Sequence, residues 1–366
     1  MWNSKTRTSS LRAGALALCA GAMLFGAADA RALSTEEILN YKGADREKVL
    51  LEGARKEGQI TLYSGLTINQ ALRPLAEGFQ KKYPGVKIEF WRGSSRKVVQ
   101  KVLAELRARN LVADVLEGSG LAESMVKAKA VVKFWTPGLA AVKSEFHDKE
   151  SQWVPSRFSY FGMAYNTKLI PPGSQPKTYA DLLDAKWKGK IAWRIGSETG
   201  ADLLITVLRK SMGDAKADAY FKALKGQGII GFSGSARTLV NRVVEGEYPI
   251  AVNIFMHHAT ISQKKGAPVA AQPLEPVPSV NGTLMIPRGI KHPHAAMLFV
   301  DYYLSKEGQA VLRKARYFPV RNDMKPRKEL EPLVPALSGA KEMFVSPETM
   351  FDERKKTQAL YKKYFR

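Results

Sequence analysis

The stretch Ile60-Thr-Leu-Tyr-Ser-Gly-Leu-Thr67 constrains the fold more than any other part of this chain. Ile60 to Tyr63 is β-branched and aromatic and follows Gly58-Gln59, so it predicts a buried strand. Ser64-Gly65 breaks the pattern, and from Asn69 the apolar Leu72, Leu75, Ala76, Phe79 and Tyr83 recur at helical spacing. Strand, small polar turn and helix form the first half of a βαβ unit. In an open α/β sheet such a turn lies at the mouth of the ligand crevice. Ser64 and Thr67 bring hydroxyls to it, beside the free N–H groups and partial positive charge of a helix start.

The same edge recurs. Val86 to Trp91 alternates apolar and polar residues and predicts a second strand, ending in Gly93-Ser94-Ser95 before a helix carrying Val98, Val99, Val102, Leu103 and Leu106. Ala113-Asp-Val-Leu116 predicts a third, closed by Gly118-Ser119-Gly120. Serine and glycine populate any turn for backbone reasons; three hydroxyl-bearing turns at one edge make a cleft. From Trp153 the pattern resets, with strands expected at Phe158–Asn166, Ile191–Trp193, Ile229–Phe232, Pro249–Phe255 and Thr283–Ile286. Residues 268–278 read as a proline-rich extended connection. Thr178–Leu183 reads as a short capped helix, and Ala295–Leu304 and Gly308–Leu312 as two more.

Residues 1–30 combine Lys5, Arg7 and Arg12, the apolar run Ala13–Phe25 and the small residues Ala28-Asp29-Ala30. Those are the three parts of a cleavable secretory signal peptide, and the run is too short to span a bilayer. Cys19, the single cysteine, lies inside it, so disulfides have no part in the expected mature protein. The 366 residues suffice for two ordinary domains. The net charge of +23 raises nucleic acid as a partner. The basic residues are scattered singly, however, with Arg354-Lys355-Lys356 the densest run and no zinc-finger or RNA-binding signature. A basic solvated surface favouring anionic ligands, with no nucleic acid, is the reading that distribution supports.

The order of motifs resembles a periplasmic solute-binding protein of an ABC importer, in the extracellular solute-binding family that includes the ferric-ion-binding proteins. The residues that carry the likeness are Ile60–Gly65, Leu75–Val86, Arg92–Ser95, Ala113–Val115, Tyr165–Thr167, Leu182–Ile191, Val244–Glu247 and Phe299–Gln309. The segments Asp-Leu-Leu-Asp-Ala-Lys-Trp-Lys-Gly-Lys and Leu-Ser-Lys-Glu-Gly-Gln are the specific ones. The resemblance implies an α/β, two-lobe type II periplasmic-binding-protein fold, each lobe a mixed sheet flanked by helices, with a two-strand hinge. The expected boundaries are a signal peptide at 1–30, an N-terminal helical extension at 31–57, a first lobe at 58–130 plus 280–340, and a second at 150–265. Hinge or crossover segments fall at 131–149 and 267–280, and a basic helical tail at 341–366. The implied function is the substrate-binding component of an ABC uptake transporter, a periplasmic monomer whose partners are a small solute and the permease subunits, with no cofactor and no catalysis.

This chain also departs from the family pattern. The iron-binding members use a histidine in the first turn, a glutamate in the third and two adjacent tyrosines after a strand of the second lobe. Those positions fall here on Thr67, near Ser119, and on Phe255 and Met256, which cannot supply the anionic oxygens that ferric iron wants. His257 and His258 are adjacent and would point apart, with no partner spaced to complete a metal site. No metal is therefore expected, and the cleft is read as taking a small organic or oxyanionic solute. The candidate contacts are Ser64, Thr67, Ser95 and Ser119 from the first lobe, with Tyr160, Trp193, Arg194, Ser197, Thr199, Ser233 and Phe255 from the second. Arg194, where a strand gives way to a helix, suits bidentate recognition of a carboxylate or phosphonate. The alternatives are a ferric-ion-binding protein, a binding protein feeding a sensor kinase, and an enzyme on the same fold. For the last, Gly231-Phe-Ser-Gly-Ser235 matches a nucleophile elbow only loosely, since Ser235 stands where glycine is needed.

Overall fold

Helices α1 (Thr35–Leu39) and α2 (Arg46–Glu57) precede β1 (Gln59–Ser64), in which Ile60 and Leu62 are buried. The computed structural model describes residues 33–366, and Ser34–Arg366 forms one unit. The expected leader and Cys19 lie outside the described residues. β1 pairs in parallel with β2 (Lys87–Arg92) and β3 (Val115–Gly118). Between these strands run α3 (Arg73–Lys82), reached through a π turn at Ile68–Leu72, and α4 (Ser95–Arg107); α5 (Ala122–Lys127) follows β3. Tyr63, Val98, Val102, Leu116, Met125 and Trp153 close one apolar core over this sheet.

Everything then passes through β4 (Val154–Asn166). A second half is built from β5 (Ile191–Arg194), α6 (Leu203–Met212), α7 (Asp214–Gly226), β6 (Ile230–Phe232), α8 (Ala236–Glu245), β7 (Ile250–Phe255), α9 (Met256–Gln263) and β8 (Val269–Gln272). The chain returns in β9 (Val277–Met285), then α10 (Pro293–Leu304), α11 (Lys306–Lys314), β10 (Phe318–Pro319), α12 (Pro335–Ser338), β11 (Glu342–Phe344) and α13 (Pro347–Phe365). The strand order is β2-β1-β3-β9-β4-β7-β5-β6, with β8 and β10 beside β4 and β11 beside β9. Val154 to Tyr160 of β4 pair with β9, whereas Phe161 onward pair with β7 and β8. One strand thus changes sheets at Tyr160–Phe161, with irregularities in its ladders at Pro155/Arg157 and Gly162/Met163.

The sequence reading is amended at several points. Residues 131–149 do not cross between the halves: Val131 bridges Pro287, the Trp135 amide bonds Leu39 O, and Thr136 Oγ1 reaches Asp301. The proline-rich 268–278 holds β8 and the start of β9, because Pro273, Pro276 and Pro278 leave Val269–Gln272 free to pair with β4. Thr178–Leu183 closes as a 3₁₀ turn, Ala180–Leu183. The C-terminal helix is no free tail. Its Tyr361, Tyr364 and Phe365 join the second core, Phe365 meeting Trp193 at 4.6 Å between ring centres.

The N-terminal helices are tied to the returning segment by charge. Arg46, with 7% of its side chain exposed, bonds Asp301 at 2.7 Å, while Glu57 receives the Ala295 amide and the His294 ring at the start of α10. His292 bonds Asp114 in the same way at 2.9 Å. Removing Asp301 strands a buried guanidinium, which typically costs 3–5 kcal/mol. Asp301→Ala is expected to lose about 3 kcal/mol in urea unfolding, with m unchanged.

Candidate functional site

The turns after β1, β2 and β3 converge with those after β5 and β7 on one interface between the halves. At its centre Glu117, the penultimate residue of β3, is wholly buried and receives Arg157 Nε at 3.1 Å, Ser64 Oγ at 2.5 Å and Ser156 Oγ at 3.3 Å. Arg157 Nη1 goes on to donate to Ser159 Oγ at 2.7 Å and Ser119 Oγ at 3.3 Å. Burial, the largest single influence, lowers this guanidinium's pKa, but Glu117 together with Tyr303 and Tyr317 raises it above its usual value. Arg157 and Ser159 share a face of β4 by the two-residue period, which brings both to the serine turns. Tyr317 lies over Arg157 at 5.1 Å, and its hydroxyl accepts the Thr67 amide at 3.1 Å.

From the other half, Arg194 ends β5 and lies wholly buried. Its Nη2 donates to Ser197 Oγ at 2.9 Å and to Thr199 Oγ1, while Nε has no partner. No carboxylate offsets its charge, and burial draws its pKa down to about 10. Phe255 stands between this guanidinium, 5.8 Å from its ring centre, and His258 at 5.2 Å. His257 stacks on Tyr317 at 4.6 Å. Burial first, then Arg157 and Arg237, pushes the His257 imidazole well below its ordinary range; burial, His257 and those arginines do the same to His258.

The halves touch at Gly120, at φ +76°, where a Cβ would stand tightly, 3.2 Å from Thr199 and 3.3 Å from Glu198. Ser124 Oγ donates to Glu198 at 2.9 Å across the same seam, and Arg354 of α13 bonds Glu123. A cavity of about 340 Å³ opens here, lined among others by Ser95, Arg96, Ser197, Glu198, Asp202 and Arg354.

Of the sequence candidates, Ser64, Thr67, Ser95, Ser119, Arg194, Ser197, Thr199 and Phe255 lie along this interface. Trp193 does not. It is 1% exposed in the second core against Phe365, because successive strand residues face opposite ways and Arg194 takes the cleft side. Tyr160 faces away from Ser159, packing on Phe318 at 4.8 Å, and Ser233, just past the carboxyl end of β6, is exposed. Glu117, Arg157, Tyr317 and the buried state of His257 and His258 escaped the sequence reading. The alternation Arg157-Phe-Ser159 was the one local signal, and it becomes meaningful only once β4 is seen to cross the cleft.

This geometry is matched by similarity. Residues 63–310 fit the family described as bacterial extracellular solute-binding protein. The chain belongs to that family. This solute-binding protein is 28% identical over 279 residues to an "Uncharacterized protein" of Haemophilus influenzae, covering 71% of this chain and 77% of that one. It is 22% identical over 285 residues to the "Fe(3+)-binding periplasmic protein" of Serratia marcescens, covering 73% and 80%. Among solved structures, AfuA of Actinobacillus pleuropneumoniae with exogenous fructose-6-phosphate bound aligns with a TM-score of 0.71 and 25% identity, over 84% of this chain and 98% of that one. Iron-bound HitA of Pseudomonas aeruginosa aligns with a TM-score of 0.70 and 22% identity, over 84% and 99%. The two-lobe α/β fold is that of these binding proteins.

The seam carries a titration. Glu198 is held up to about 8 by burial and then by Glu123, and Asp202 up to about 6 by burial. A carboxyl raised in the folded state stabilises it below the unfolded pKa and loses that contribution as pH climbs through the folded value. The histidines act oppositely, and only below the ordinary imidazole pKa. The thermal midpoint of the ligand-free protein is therefore expected to fall from pH 6.5 to 8.5, and Glu198→Gln to flatten that fall.

Proposed function

We propose that this solute-binding protein is the periplasmic, non-enzymatic receptor of an ABC uptake transporter and captures a small organic oxyanion between its lobes. The observation that carries the reading is Arg194, a buried cation with an idle Nε and no carboxylate, at the seam between the halves. A buried charge wants a partner, and an oxyanion provides charge and acceptors together. Thr67, Ser95, Ser119, Ser197 and Thr199 supply hydroxyls around it, and Phe255 an apolar wall. Similarity to AfuA, whose structure holds fructose-6-phosphate, supports an organic anion.

Ferric iron is the rival cargo, suggested by the Serratia relative's name. Among the described residues no three His, Cys, Asp or Glu side chains converge to hold a metal, and Arg157, Arg194 and Arg237 would repel a trivalent cation. Catalysis at the loose elbow is disfavoured because Ser235, where the motif needs glycine, caps α8 by accepting the Thr238 amide. Mechanically, the lobes, at about 58–130 with 280–340 and at 150–265, pivot where β4 changes sheets and where β9 returns. Solute touching both halves shifts the population toward the closed form, which the permease reads.

Titration calorimetry with small carboxylates, phosphate monoesters, phosphonates and ferric citrate tests this. An oxyanion is expected to bind, and Arg194→Met to weaken it about 100-fold, the effect of removing one partner of a buried charge pair. Tight binding of ferric ion with no response to any oxyanion gives the site to iron instead.

A further inference from the structure

Two histidines lie at the junction of β7 and α9, where the strand that lines the cleft becomes a helix. Both rings are buried, and neither nitrogen of His257 nor Nδ1 of His258 has a hydrogen-bond partner. Buried polar atoms are nearly always satisfied, so three idle imidazole nitrogens in one spot mark a place built for something else. The first turn of α9 adds to this: it starts with no side-chain cap, leaving its N–H groups unclaimed by the usual hydroxyl or carboxylate.

The groups facing the pair are overwhelmingly cationic or neutral. Arg157 faces it from β4, and Arg237 from α8, with Nη1 donating to the His258 carbonyl at 2.8 Å; Arg92, at the end of β2, acts on His258 by charge. Tyr317 and Phe318 cover His257 at 4.6 and 5.9 Å, and Phe255 flanks both rings, with Arg194 beyond it. The nearby carboxylate, Glu117, is already engaged by Arg157, Ser64 and Ser156. With the cleft empty, that field keeps the imidazoles neutral. An anion arriving among them reverses it, since a negative charge within hydrogen-bond reach favours the imidazolium, which has two N–H donors in place of one.

We propose that His257 and His258 are ligand-contacting residues which donate to the oxyanion of the solute, and that capture draws a proton from solvent onto the pair. This rests on the reading of the cleft as an oxyanion site, and it makes uptake tighter as the medium acidifies. The role is one of specificity. A neutral solute of equal size leaves the nitrogens and the arginines unmatched, whereas an anion satisfies both and gains from acid pH.

The test is calorimetry with sulfate, which does not titrate near neutrality, and with inorganic phosphate, each at pH 6 and pH 8 in buffers of different ionisation heat. It is run on the Glu198→Gln, Asp202→Asn protein, so that neither raised carboxyl at the seam contributes a proton. Sulfate is expected to bind about tenfold tighter at pH 6 than at pH 8, the limit for one proton approached over part of its titration, with proton uptake visible in the buffer dependence. His257→Gln and His258→Gln, which keep a neutral donor, are expected to abolish the uptake and bind about as native protein does at pH 8. The native protein provides a check that needs no core substitution. Imidazole nitrogen spectra of its five histidines are expected to show one ring passing from neutral to charged as either anion is added at pH 6.5. Anion binding without proton uptake, or with all five rings unchanged, overturns the proposal and leaves the oxyanion site standing. If no oxyanion binds at any pH, the site reading itself falls.

Discussion

The bond between Glu117 and Arg157 organises the molecule. One partner lies next to the end of a strand of the first sheet, and the other lies on the strand that crosses between sheets. Both are withdrawn from water, a situation that costs several kcal/mol per ion unless each charge meets the other and its remaining donors and acceptors are met. Here they are met, by Ser64, Ser119, Ser156 and Ser159. The serine turns that look like a generic loop pattern thus do two things: they satisfy a buried ion pair and hold the edge of the first sheet in register with the crossing strand.

The contrast with the opposite wall is instructive. Arg157 has its counter-charge within the protein; Arg194 has only hydroxyls, and both ring nitrogens of His257 and Nδ1 of His258 have no partner. One wall thus meets its charge within the protein, and the other keeps a buried cation without a counter-charge. The seam at Gly120, Ser124 and Glu198 joins the halves through a hydrogen bond to a carboxyl whose pKa burial raises to about 8.

The C-terminal helix gives the same lesson at the level of packing. Its lysines and arginines suggest a solvated tail, yet Phe365 and Tyr364 fill the second core beside Trp193 and Phe221. Arg354, from the densest basic run, reaches across to Glu123 on the first half. Charge content along a helix says which residues can face water; it is silent on what the other face finds.

Local pattern alone determined a good deal: the three strand–turn–helix units from Ile60, Val86 and Ala113, the reset near Trp153, and the hydroxyl turns at one sheet edge. These follow from periods of two and 3.6 residues and from turn chemistry, which are properties of neighbours in the chain. Tertiary structure decided the rest. Only the register of β4 against β9 and β7 brings Arg157 to Glu117, 40 residues away. Only the facing of β5 sends Trp193 inward and Arg194 to the cleft, and only the meeting of the two halves leaves His257 and His258 buried without partners. Burial and unmet charge are relations between distant segments, so no window of sequence contains them.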